Sequence, residues 1–74
     1  MPLNIKSERV RIGMSADEVA AKVGVSLNAL YAWENGSANP RSDNLMKLAQ
    51  LYKCSPEYLL GMTDERNGRA RAIL

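Results

Sequence analysis

The sequence predicts an all-α fold, a compact bundle of five helices around a single core, and three observations carry that reading. Helix-starting and helix-ending residues recur five times with only short breaks between them. The apolar residues inside those segments fall at helical spacing, and no segment reads as a strand. The chain has 74 residues, 46% of them apolar and 24% charged, which suits one small globular domain.

The first helical segment runs from Asn4 to Ile12, with Ile5, Arg9 and Ile12 on one side and Gly13 in the usual C-terminal position. Ser15 is placed to cap a second helix. Asp17 and Glu18 lie in its first turn, and Glu18, three residues on, completes a capping box. Val19, Ala20 and Val23 point inward, and Gly24 ends the helix after little more than two turns. Only Val25 then separates Gly24 from Ser26, a second capping side chain, so two short helices meet at a very tight turn. The third helix passes through Asn28, Leu30 and Trp33 to Glu34, and Asn35-Gly36 closes it. After a loop from Ser37 to Arg41, Ser42 is expected to cap a fourth helix whose inward stripe is Leu45, Leu48, Ala49 and Tyr52. Ser55-Pro56-Glu57 supplies a cap, a proline at the first helical position and an acid in the first turn of a short fifth helix that stops at Gly61. The domain is therefore expected to span residues 1–61. Residues 62–74 read as a polar, frayed tail ending in the apolar pair Ile73-Leu74.

Composition excludes several functions. The chain has no histidine and one cysteine, Cys54, which removes most zinc sites, any internal disulfide and every His-based acid–base scheme. No Gly-rich phosphate loop or paired-carboxylate site is present, so no enzyme, cofactor, metal or small-molecule substrate is expected. No stretch approaches the roughly 18 apolar residues that cross a bilayer, so no membrane partner is expected and a reducing cytoplasmic setting is the default. Ten Lys+Arg against eight Asp+Glu give a net charge of +2, which permits nucleic acid without demanding it. With no disulfide, so short a chain needs tight helix packing or a partner subunit, since one small core supplies only about 3–5 kcal/mol.

The third helix has an outer face with nothing to bury. At 100° per residue, Ala29, Leu30 and Trp33 fall on the core side, while Asn28, Tyr31, Ala32 and Asn35 lie roughly 140–240° round from Ser26, with Leu27 at the margin. A solvated helix face ordinarily carries Lys and Glu in pairs, but this one is uncharged, hydrogen-bonding and partly apolar. Such a face suits the DNA major groove, where Asn can pair with adenine and Ala or Leu can meet a thymine methyl. It equally suits a protein partner, because aromatic residues are enriched at protein interfaces.

The run SADEVAAKVGVSLNALYAWENG, Ser15 to Gly36, resembles the helix-turn-helix of the phage repressor and Cro class, also called the xenobiotic-response-element type. IKSERVRIGMS upstream and SDNLMKLAQLYKCSPEYLLG downstream are similar to the remaining helices of that class, so the likeness covers about residues 4 to 61 and implies a lambda-repressor-like fold. It makes helix three the recognition helix, with Leu27, Asn28, Tyr31 and Ala32 against base edges. It puts Asn35, Arg41 and the helix starts at Ser15 and Ser26 against phosphates, with Ser37, Asn39 and Arg11 as further phosphate contacts. Ala16 stands in the phosphate-facing group where many members have Gln, so one contact of the class is missing. Tyr31 and Ala32 likewise replace the Gln, Lys or Arg often found there, which leaves the preferred base sequence open. Arg9 and Glu34 occupy positions that form a structural salt bridge between helix one and the end of helix three.

Other residues read as scaffold. Met14 and Met46 are expected in the core, Cys54 as an inert packed thiol, and Glu8, Asp17 and Lys22 as solvated surface. The expectation is thus a sequence-specific binder of double-stranded DNA that regulates transcription, as a repressor, and acts as a homodimer on a palindromic site. Tyr58, Leu60 and the Ile73-Leu74 end are the expected dimer contacts. The rival from another class is an antitoxin-like module whose main task is to occupy a partner protein, with DNA binding secondary.

Overall fold

The computed structural model describes residues 4–66, and among them are five α-helices and no strand. They are α1 (Ile5–Ile12), α2 (Ala16–Val23), α3 (Leu27–Asn35), α4 (Ser42–Tyr52) and α5 (Pro56–Leu59). Helix α3 packs against α1 and α2, α4 packs against the same two helices, and α5 closes against α4. Ile5, Val19, Leu30, Leu48, Tyr52 and Leu59 are fully buried and draw one core residue or more from every helix. Burying a side chain of this size contributes about 1.5–3 kcal/mol, which is why helices too short to persist alone hold their shape here.

The predicted terminal devices form. Ser15 caps α2 through its Oγ, which accepts from the Glu18 N–H at 3.2 Å, while Glu18 Oε1 accepts from the Ser15 N–H at 2.9 Å. Ser26 Oγ accepts from the Ala29 N–H at 3.1 Å and Ser55 Oγ from the Tyr58 N–H at 3.1 Å. Between α2 and α3 the chain reverses at Gly24, whose φ of +85° is a backbone state that a side chain would strain. The start of α1 is tied to the end of α5, with the Asn4 N–H donating to the Leu59 carbonyl at 3.0 Å and Asn4 Nδ2 to the Tyr58 carbonyl at 2.7 Å.

Three expectations need correction. Arg41, not Ser42, occupies the cap position of α4; it makes no side-chain cap bond, and Asp43 Oδ1 instead accepts from the Asn44 N–H at 2.9 Å. Met46 is 49% exposed, on the solvent side of the α4 stripe. Glu8 is buried at 3% exposure, where its Oε1 accepts from Arg11 Nε at 2.9 Å and from Arg66 Nε and Nη2 at 3.0 and 2.7 Å. Arg66 Nη2 also donates to the Tyr52 carbonyl at 3.0 Å, and the Arg66 carbonyl accepts from the Ser55 N–H. A buried carboxylate needs such partners, and Glu8 obtains its second cation from across the domain. Ile73 and Leu74 lie outside the described residues.

Candidate nucleic-acid interface

Two helix N-termini and one helix face form the predicted interface, and their chemistry differs. At the start of α3, the Leu27 and Asn28 N–H groups have no intrahelical acceptor, and no acid lies in the first turn. This end keeps the positive pole of its dipole free for an anion. At the start of α2, by contrast, Asp17 and Glu18 both lie in the first turn and the Glu18 carboxylate takes up the Ser15 N–H. The hydrogen bonds from Ser15 hold the Glu18 carboxyl below its ordinary pKa, so it stays ionised where a phosphate was expected. Ala16 turns its methyl into the core, leaving its N–H as the part of it that reaches outward.

Along α3, Asn28, Tyr31 and Asn35 are exposed, with Tyr31 at 46%. Ala32 is half-buried, and half-buried Leu27 packs against the core, so it presents only an edge. Leu30 and Trp33 are buried on the other side, as the helical spacing requires. Asn35 Oδ1 accepts from the Ser37 N–H at 2.9 Å, which orients the side chain and turns its NH₂ donor outward. Ser37 Oγ donates back to the Ala32 carbonyl at 3.4 Å, so that hydroxyl is engaged within the loop. Asn39 is exposed in the same loop. Arg41 follows, its side chain 86% exposed and only loosely associated with Asp43 at 3.9 Å.

The Arg9–Glu34 pair braces α3 against α1. Arg9 Nε donates to Glu34 Oε2 at 2.7 Å and Nη2 to Oε1 at 3.2 Å, with side chains 14% and 4% exposed, while Nη1 reaches the Met14 carbonyl at 3.3 Å. This bidentate geometry fixes the roll of α3, and with it the direction its outer face presents. The Tyr52 hydroxyl is buried with no hydrogen-bond partner among the described residues; its burial, and then the charge of Glu34, push its pKa upward. Arg11 Nε donates to Glu8 Oε1 at 2.9 Å and Nη2 to the Tyr52 carbonyl at 3.2 Å, with the side chain 47% exposed.

Sequence reasoning passed over Lys6. It lines a cleft of about 310 Å³ between α1 and α3, together with Arg9, Tyr31, Glu34 and Asn35. The signal was available, because Lys6 and Arg9 are three apart on α1 and share a face. Arg66 was also missed, and its partner Glu8 lies 58 positions away.

Residues 5–59 match the helix-turn-helix protein family. The chain is 37% identical over 60 residues to the HTH-type transcriptional regulator ImmR of Bacillus subtilis, covering 81% of this chain and 47% of that protein. It is 34% identical over 56 residues to repressor protein C2 of Salmonella phage P22, covering 76% of this chain and 26% of that protein. It therefore spans about half the length of one relative and about a quarter of the other. Among solved structures, the P22 c2 repressor in complex with a synthetic operator superimposes with a TM-score of 0.75 at 32% identity, covering 81% of this chain and 91% of that one.

Proposed function

From the premise that this chain belongs to the helix-turn-helix family, we propose that it binds double-stranded DNA sequence-specifically as a transcriptional regulator, acting as a repressor. The observation that carries this reading is the outer face of α3, where Asn28, Tyr31 and Asn35 stand exposed without a charge among them. A helix presenting amides and small apolar groups matches the donors, acceptors and methyls of the major groove. Similarity to a repressor structure that contains operator DNA supports the same partner.

In this mechanism the backbone contacts set position and the outer face of α3 then reads bases. The open N-terminus of α3 at Ser26, the Asn35 amide and Arg41 provide the main phosphate contacts. The α2 start at Ser15 and Ala16 contributes less, because Glu18 already occupies it. Asn28 is the principal base reader, flanked by Ala32 and the edge of Leu27. One copy reaches few bases, so two copies on a palindromic site, with half-sites about 34–36 Å apart, are the functional form. Half-buried Tyr58 and Leu60, on and just after α5, are the described candidates for the dimer contact. This activity needs no catalysis and no cofactor, and a cytoplasmic setting is part of the same proposal.

Selection of the full chain against a randomised duplex library at two salt concentrations tests this proposal. Enrichment of a two-part palindromic motif is expected, and failure to retain any duplex at the lower salt would overturn it.

A further inference from the structure

We infer that the cleft between α1 and α3 is a DNA-backbone site in which Lys6 and Tyr31 hold a phosphate beside the groove-reading face. This inference rests on the DNA-binding reading and adds two contacts to it, one of which moves Tyr31 from the base readers to the backbone.

The cleft joins two elements. Lys6 and Arg9 face it from α1, and Tyr31, Glu34 and Asn35 face it from α3. Tyr31 and Asn35 are also exposed members of the outer face of α3, so the cleft opens where that face begins. A polymer lying along the face would run its backbone past the cleft mouth.

The cleft's charge selects an anion. Glu34 is neutralised by its two bonds to Arg9, and its side chain is 4% exposed. Lys6 is exposed and takes part in no ion pair among the described residues, so the cleft carries a net cationic charge. Its free hydrogen-bonding groups are donors except for the Tyr31 phenol, which both donates and accepts. Lys6 contributes an ammonium, Tyr31 a phenolic O–H, and Asn35 an NH₂ whose companion oxygen is occupied by the Ser37 N–H. Arg9 has five N–H groups, of which three are committed to Glu34 and Met14, leaving two. A cleft lined mostly by donors around one uncompensated cation fits phosphate oxygens better than a base edge, which presents donors and acceptors together.

The consequence is a division of labour along α3. Asn28, near its N-terminus, discriminates bases, while Tyr31 and Asn35, one and two turns later, grip the backbone.

The test measures affinity of the full chain for its selected duplex and for a random duplex of equal length across a salt series. Lys6→Gln and Tyr31→Phe are compared with Lys22→Gln, an exposed charge loss on α2 outside the cleft, and thermal unfolding confirms that each variant folds. Lys6→Gln is expected to reduce the salt slope by about 0.9 for each copy bound and to weaken both duplexes equally, with Lys22→Gln leaving the slope unchanged. Tyr31→Phe is expected to weaken both duplexes about tenfold, keeping the slope and the ratio between them. An unchanged slope in Lys6→Gln, or a Tyr31→Phe variant that alters the ratio, overturns the assignment while DNA binding stands. A wild-type chain that binds neither duplex overturns the DNA reading and this inference together.

Discussion

An amide that pairs with one base through two hydrogen bonds loses both when the base pair is changed, and Asn28 is the exposed amide on α3 proposed for that role. Asn28→Ala is expected to cost about 1–3 kcal/mol on the preferred site and to relax discrimination at one base pair, as competition binding against single-position variants of the site would show. An equal loss on every sequence would count against base reading. Tyr52 poses the opposite problem, a buried hydroxyl with no partner among the described residues. Tyr52→Phe removes the desolvation cost of that oxygen and keeps the ring, so urea denaturation should find the variant as stable as the parent or about 1 kcal/mol more stable. A loss of more than 1 kcal/mol would mean the hydroxyl has a partner. Single residues were legible in the sequence where their partners are local. Ser15 and Glu18 are three apart, and the exposure of Asn28 follows from 100° per residue. Glu8 was misread as surface because its burial depends on Arg66, far along the chain and without any local signal.

Helix pairs determine whether the reading face points the right way, and the Arg9–Glu34 bridge is the joint between α1 and α3. Arg9→Ala leaves a nearly buried carboxylate without its cation, a loss of about 3–5 kcal/mol that is comparable with the stability expected of so small a domain. The double variant Arg9→Met with Glu34→Leu is expected to recover most of that loss in chemical denaturation, because neither charge is then stranded. A double variant no better than Arg9→Ala would contradict the explanation. The Glu8 network ties α1 to the end of α4 and to Arg66. Burial alone would raise the Glu8 pKa, but the hydrogen bonds and charges of Arg66 and Arg11 outweigh it and hold the carboxyl below its ordinary value. A carboxyl depressed in the folded state contributes stability above its unfolded pKa and loses it as the pH falls through the folded value. Thermal unfolding from pH 7 down into the acid range should therefore show a decline that is shallower in Glu8→Gln, and parallel curves would rule this out. At this scale the sequence was informative about caps and breaks, which are short-range, and misplaced only the cap of α4, where an extended Arg41 precedes Ser42.

A net charge of +2 is too small to hold DNA by the overall field, so the proposed binding assigns affinity to a few well-placed cations beside α3. Arg41 is the most exposed of the arginines in ion pairs, and Arg41→Ala is expected to weaken specific and random duplexes alike and to reduce the salt slope by about one for each copy bound, measured by titration across a salt series. An unchanged slope would remove Arg41 from the interface. The five-helix architecture was legible, because apolar spacing marks the helices and capping side chains mark the starts of α2, α3 and α5. The cleft between α1 and α3 was not, because it exists only once two helices distant in sequence are packed. The most direct test of the central claim is to titrate isotope-labelled full chain with its selected duplex and follow the backbone amide resonances. The account predicts that the largest shifts fall on α3, at Asn28, Tyr31, Ala32 and Asn35, with Arg41 close behind. Shifts confined to α4 and α5, with α3 unmoved at saturation, would contradict it.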